Sequence, residues 1–172
     1  DSSIAKKVQS YIKDNRHISG STCRRFNVGF APKSWNALSS YLSNKGFSEE
    51  LQIRAGLSKK NKDKEPYDLF RDRLMFPIKD RKGRVVGFGG RVMNPEDQPK
   101  YLNTGDTPVF QKGKELYGLH EALEDRKNLT RIYVVEGYMD VIAMSENGIN
   151  NSVATLGTVS YKHLTLPTIL LV

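Results

Sequence analysis

Arg131-Ile-Tyr-Val-Val-Glu-Gly-Tyr-Met-Asp-Val-Ile-Ala-Met144 is the stretch from which the fold is read. Ile132 to Val135 is an apolar run of strand length, and its composition predicts a buried strand. The run stops at Glu136-Gly137. A helical period follows at once, with Met139, Ile142 and Ala143 expected on one face. This order sets a carboxylate at the carboxyl end of a strand, on the turn into a helix. In open α/β sheets that edge is where ligands and metals bind. A single acid there can hold Mg²⁺, the usual partner of phosphate chemistry. Glu136 read alone is equally a solvated carboxylate beside a helix dipole. Asp140, one helical turn on, is expected either to face the same site or to lie in solvent. Ser152-Val153-Ala154-Thr155-Leu156 completes the unit as a second, parallel strand, closing a βαβ crossover.

Upstream the pattern is different. Leu74–Ile78 and Val85–Phe88 are apolar runs around the charged turn Lys79–Arg84, which predicts a β-hairpin. Pro77 places its strand at an edge or a bulge. Gly87, Gly89 and Gly90 predict a bulge or a close backbone approach. They do not form a dinucleotide-binding loop, because no helix opens after them. The first third reads as helices. Ile4, Val8, Tyr11 and Ile12 share one face, and Trp35, Leu38, Tyr41 and Leu42 share another, with Gly46 as the stop. Ser48 caps a short helix through Ile53. Ser58–Lys64 reads as an exposed loop, residues 94–114 as irregular, and Leu116–Leu123 as a helix.

Charge is distributed unevenly. The net charge is +8; residues 1–53 carry +4, residues 54–114 carry +7, and residues 115–172 carry −3. A basic middle beside an acidic end suggests a polyanion-binding surface next to a metal site. Arg71, Arg73, Arg91, Lys100 and Lys112 form the candidate cationic group. Arginine suits bidentate phosphate contacts, whereas lysine acts as a point charge. Tyr101 and Asn103 flank Lys100 in a position to stack on, or hydrogen-bond to, a base or sugar. Without further information the same residues read more readily as scattered surface charge with one half-buried tyrosine. Cys23 is the only cysteine, so neither an internal disulfide nor a cysteine-based zinc site is expected. His17, His120 and His163 lack metal-ligand spacing. No apolar stretch is long enough to span a membrane, and an intracellular chain is expected.

Taken in order, several stretches resemble one family. They are Phe26–Pro32, Arg73–Ile78, Gly83–Val92, Pro99–Asn103, Phe110–Gly113 with Leu116–Leu119, and Val135–Val141. Over about Ala5 to Thr158 the chain is similar to bacterial replicative DNA primase of the DnaG type. The resemblance implies an α+β amino-terminal subdomain (residues 1–125), followed by the start of an α/β Toprim domain with a parallel sheet (residues 126–158). It implies template-directed synthesis of short RNA primers on single-stranded DNA during replication. It implies Glu136 as the catalytic acid, and Glu136 and Asp140 as ligands for Mg²⁺ or Mn²⁺. Arg71, Arg73, Arg91, Lys100, Tyr101, Asn103 and Lys112 become expected contacts to template or nucleotide. Ribonucleoside triphosphates and a replicative helicase are the implied partners, and the cytoplasmic replisome the implied location.

Departures from the family pattern shape further expectations. The family's zinc-binding domain is expected to be absent from this chain. No Asp or Glu follows Glu146, so the later acidic pair of a Toprim domain is missing. Residues 159–172 are expected to be a non-native tail, and the 172-residue chain alone is expected to make no primer. Two other readings stay open: a single-strand-binding fragment without chemistry, and another Toprim enzyme of nucleic acids.

Overall fold

The structure is a computed structural model describing residues 2–62, 65–124 and 129–156. The tail from residue 159 lies outside the described residues. Helix α1 (Ser2–Ser10) passes directly into a π-helical turn, Tyr11–Asn15, and α2 follows (Gly20–Arg25). Next come β1 (Gly29–Ala31), α3 (Ala37–Asn44), α4 (Glu49–Arg54), β2 (Ser58–Lys59) and β3 (Tyr67–Asp68). The hairpin is β4 (Arg73–Lys79) and β5 (Val85–Val92), and β6 (Tyr101–Asn103) follows it. The chain closes with β7 (Leu116–Tyr117), α5 (Leu119–Ala122), β8 (Tyr133–Val135), α6 (Tyr138–Glu146) and β9 (Ser152–Thr155).

Two sheets meet across one core. The first is antiparallel, in the order β1-β4-β5-β6. On β4 the alternating side chains Leu74, Phe76 and Ile78 are fully buried, as a strand with one face on a core requires. The second sheet has the order β7-β9-β8, with β8 and β9 parallel and Val135 opposite Ala154. Phe76 and Ile78 share a cluster with Phe110, Tyr117, Tyr138, Val141, Ile142, Ala154 and Leu156. Each such side chain taken out of water contributes about 1.5–3 kcal/mol, so this shared cluster holds the two sheets as one unit. The mixed α+β part and the parallel α/β unit both form as the sequence predicts.

Local signals explain several boundaries. Ser48 Oγ accepts from the Leu51 N–H at 3.3 Å and so opens α4. Gly46, at φ 88°, ends α3, and the Phe47 N–H returns to the Leu42 carbonyl at 3.0 Å. Pro77 lies on β4 beyond the reach of β1, which pairs only with Arg73–Met75, and a register shift follows at Ile78/Lys79. Its missing N–H therefore breaks no ladder.

Other expectations are corrected. Ser58–Lys59 is a strand paired with β3, not exposed loop, and Ser58 is buried. Residues 94–114 are not wholly irregular: Tyr101–Asn103 pairs with Gly89–Arg91. The stretch 116–123 divides into β7 and α5, because Gly118 at φ 80° turns the chain between them. Its apolar spacing satisfies either period, so pattern alone cannot separate them. β8 is half-buried, since it lies at the edge of its sheet. The buried face of α6 is Tyr138, Val141 and Ile142, whereas Ala143 is exposed. Tyr138, at the first helical position, turns that face inward. The apolar stretch expected from Trp35 is not core: Trp35, two residues before α3, is 66% exposed, and Tyr41 within α3 is 58% exposed.

Candidate nucleic-acid interface

Glu136 stands on the two-residue turn between β8 and α6, and it is exposed. Gly137 follows as the helix cap, and its N–H donates to Asp140 Oδ2 at 3.0 Å. Asp140 thus turns back toward the same turn, with one carboxylate oxygen committed to the cap. Among the described residues no group of three His, Cys, Asp or Glu side chains lies close enough together to hold a metal ion. Metal affinity rises with ligand number and charge. Glu136 with a capping Asp140 does not by itself make a magnesium site.

Behind Glu136 the helix start is fixed by aromatic packing. The Tyr138 ring stacks on Phe76 with centroids 5.4 Å apart and meets Tyr117 edge-on at 4.8 Å. It lies directly over Gly89 of β5, where a Cβ would approach Tyr138 Cζ to 2.6 Å. Gly87 and Gly90 face Phe110 and Phe70 in the same way. The glycine cluster is therefore a set of close approaches, as its spacing predicts, made to aromatic rings. Burial pushes the Tyr138 hydroxyl well above the usual tyrosine range. The hydroxyl donates to Asn103 Oδ1, and Asn103 Nδ2 donates to the Leu156 carbonyl at 2.8 Å.

On β5, opposite Tyr101, Arg91 is buried. Its Nε donates to the Tyr101 hydroxyl at 3.1 Å, and its Nη1 donates to the Tyr11 hydroxyl. Arg16 Nη2 donates to that same hydroxyl at 2.9 Å. Tyr11 sits at the start of the π-helical turn and Arg16 just after its end. Two guanidinium groups thus converge on one neutral oxygen, and neither has an acidic ion-pair partner among the described residues. Burial raises the Tyr11 pKa, but the hydrogen bonds and charges of Arg16 and Arg91 outweigh it and hold the pKa below the ordinary value.

A second basic corner lies at β3. Arg71 Cζ is 4.3 Å from the Trp35 ring and 5.1 Å from the Tyr67 ring. The two rings stand edge to face at 5.7 Å. Arg71 also donates to the Asp68 carbonyl, while the Asp68 carboxylate accepts the Leu38 and Ser39 N–H groups at 2.8 and 2.9 Å. Helix α3 is thereby pinned beside the cation. Arg73 is buried and donates to the Pro99 carbonyl at 2.8 Å; burial, then the nearby Arg71 charge, lowers its pKa. It remains a cation all the same.

The expected residues therefore divide. Arg91, Tyr101 and Asn103 come together around β5 and β6, with the Tyr101 ring 6.1 Å from Tyr138. Arg71 forms a separate, half-buried corner. Lys100 is exposed, and Lys112 is half-buried with its backbone N–H on Asp106 at 3.1 Å. The sequence marks Tyr11 and Trp35 only as members of apolar helix faces, and gives no signal for Arg16 or Tyr67. Trp35 was assigned to an apolar helix face, and nothing in its spacing signals exposure beside an arginine.

Residues 1–123 match the family described as DNA primase catalytic core, N-terminal domain, and residues 130–163 match the Toprim domain. The DNA primase of Pseudomonas putida KT2440 is 50% identical over 161 residues, covering 92% of this chain and 24% of the relative. A solved DNA primase domain from Pseudomonas aeruginosa superposes with a TM-score of 0.86 at 46% identity, covering 97% of this chain and 54% of that one. A DnaG primase catalytic domain bound to ssDNA gives 0.82 at 44% identity, over 93% of this chain and 50% of that one. This chain spans about a quarter of the length of the curated relatives it matches. With matches of this extent and identity, the chain belongs to the DNA primase catalytic core family.

Proposed function

We propose that the chain forms the template- and nucleotide-guiding part of a DNA primase, an enzyme that makes short RNA primers on single-stranded DNA. The observation that carries this reading is that Glu136, exposed on the β8–α6 turn, lies two residues before Tyr138, whose ring is 6.1 Å from Tyr101 and whose hydroxyl bonds Asn103, where Arg91, Tyr101 and Asn103 meet. Arg91 with Arg16, and Arg71 with Trp35, are the proposed phosphate and base contacts, joined by Lys100 and Lys112. Arg73, buried against Pro99, shapes the Arg71 corner from inside the sheet. Aromatic faces stack any base, and arginine holds the backbone, so such a surface is tolerant of sequence and sensitive to salt.

The proposed division assigns residues 1–125 to guiding and residues from 126 onward to the acidic site. Glu136 is the proposed catalytic acid and a ligand of Mg²⁺ or Mn²⁺, which would supply charge neutralisation at a triphosphate. Since Glu136 and Asp140 alone do not fit the ion, this chain's described part is assigned binding and orientation only. Ribonucleoside triphosphates and a replicative helicase are the partners expected of the whole enzyme, in the cytoplasm. Among the described residues no helix is long and apolar enough to cross a membrane.

Glu136→Ala tests the reading in a primase-length polypeptide containing this chain. Single-stranded DNA binding should persist and RNA synthesis should vanish. Synthesis that survives the change would refute the assignment. A second reading, binding without chemistry, draws on the lack of a three-residue metal cluster among the described residues; it predicts that the unaltered polypeptide makes no RNA.

A further inference from the structure

Asn103 touches both ends of the β8–α6–β9 crossover. Its Oδ1 accepts the Tyr138 hydroxyl at the first turn of α6, two residues after Glu136. Its Nδ2 donates to the carbonyl of Leu156, the residue after β9. The orientation of the amide is dictated by chemistry. Only the NH₂ group can donate to a carbonyl, so the oxygen must face the tyrosine hydroxyl. Tyr138 cannot swing away, because its ring is held by Phe76, Tyr117 and the bare backbone of Gly89. Asn103 itself is fixed on β6, opposite that same Gly89. One side chain of the antiparallel sheet thereby joins the two adjacent carboxyl-terminal strand ends of the parallel pair.

We propose that Asn103 is a positioning residue and not a ligand contact: with Tyr138 it forms a two-ended strut that sets Glu136 against the β6 edge. This rests on the reading of Glu136 as the catalytic acid. The physical logic is that a site on a turn is only as precise as the groups that lock it. The hydrogen bonds of Gly137 run to its own helix: its N–H donates to Asp140 Oδ2, and its carbonyl accepts the Asp140 and Val141 N–H groups. The strut adds a second fixed point from another sheet.

The test is a double-mutant cycle with Tyr138→Phe, which keeps the stacked ring and loses only the hydroxyl, and Asn103→Ala. In this chain, thermal unfolding should show each single change lowering Tm and the double change lowering it no further than the larger single one. Additive losses would overturn the strut. In a primase-length polypeptide containing the chain, each single change should lower kcat about tenfold or more, since misplacing a reacting group is costly. KM for ribonucleoside triphosphate should stay within about twofold. If Asn103→Ala raises KM while Tyr138→Phe leaves both constants unchanged, Asn103 is a substrate contact and the proposal is wrong. If the unaltered polypeptide makes no primer, the functional reading fails, and the strut is then decided by the unfolding cycle alone.

Discussion

Tyr138 occupies the space a side chain at residue 89 would need: a Cβ there would lie 2.6 Å from Cζ and 2.7 Å from Cε2 of the ring. The ring has no room to retreat, since Phe76 and Tyr117 hold its other sides. Gly89→Ala should therefore act as overpacking and cost about 1–3 kcal/mol. Urea unfolding measures it. A variant as stable as the parent would mean that the two sheets are less tightly joined than described.

Lys79 and Glu121 pair at 2.9 Å with side chains only 12% and 6% exposed, tying the end of β4 to α5. Removing one partner leaves a buried charge without its counter-ion. Glu121→Leu alone should cost about 3–5 kcal/mol, and the double change Lys79→Met with Glu121→Leu should recover most of that. Equal losses in single and double variants would show that the pair matters only through packing.

Stability should fall at alkaline pH. Burial raises the pKa of Tyr117 and Tyr138 in the folded chain, for Tyr117 with the nearby Glu121 charge adding to it. In the unfolded chain both ionise near pH 10. The folded state then holds more protons, so stability present below about pH 10 is lost as pH rises above it. Tyrosinate absorbance from these two residues should appear together with unfolding. Tyr117→Phe, which also removes a buried hydroxyl without a hydrogen-bond partner, should weaken the alkaline dependence. Unchanged alkaline dependence in that variant would contradict the assignment.

Trp35 and Arg71 should affect nucleic-acid binding differently. Arg71→Ala removes a proposed phosphate contact, so the slope of log affinity against log salt should flatten by about 0.7. Trp35→Ala removes a stacking face and should cost about 1–3 kcal/mol with little change in slope. Equal slopes in both variants would place Arg71 away from the backbone.

How far the sequence disclosed this arrangement depends on the range of the forces involved. The β4–β5 hairpin, the β8–α6–β9 crossover and the Ser48 cap were legible because short spacings encode them. The close approaches at Gly87, Gly89 and Gly90 were legible too, though not that aromatic rings make them. β6 and β7 were missed: each is two or three residues long and exists because a distant strand supplies its partners. The α6 face was misread by one position because Tyr138 responds to Gly89, nearly fifty residues upstream. The position of Glu136, on the turn from a strand into a helix, was legible. Asn103 was found as a residue but not in its geometry, since neither Tyr138 nor Leu156 is near it in sequence. The convergence of Arg16 and Arg91 on Tyr11 is equally non-local.

The central claim is that this chain guides a single strand of nucleic acid, and Trp35 makes it directly measurable. It is the only tryptophan, it is 66% exposed, and it lies against Arg71. Titration of the chain with an unstructured single-stranded DNA oligonucleotide should quench its fluorescence saturably, with an affinity that falls steeply as salt rises. Absence of any quenching or binding at low salt would contradict the account at its base.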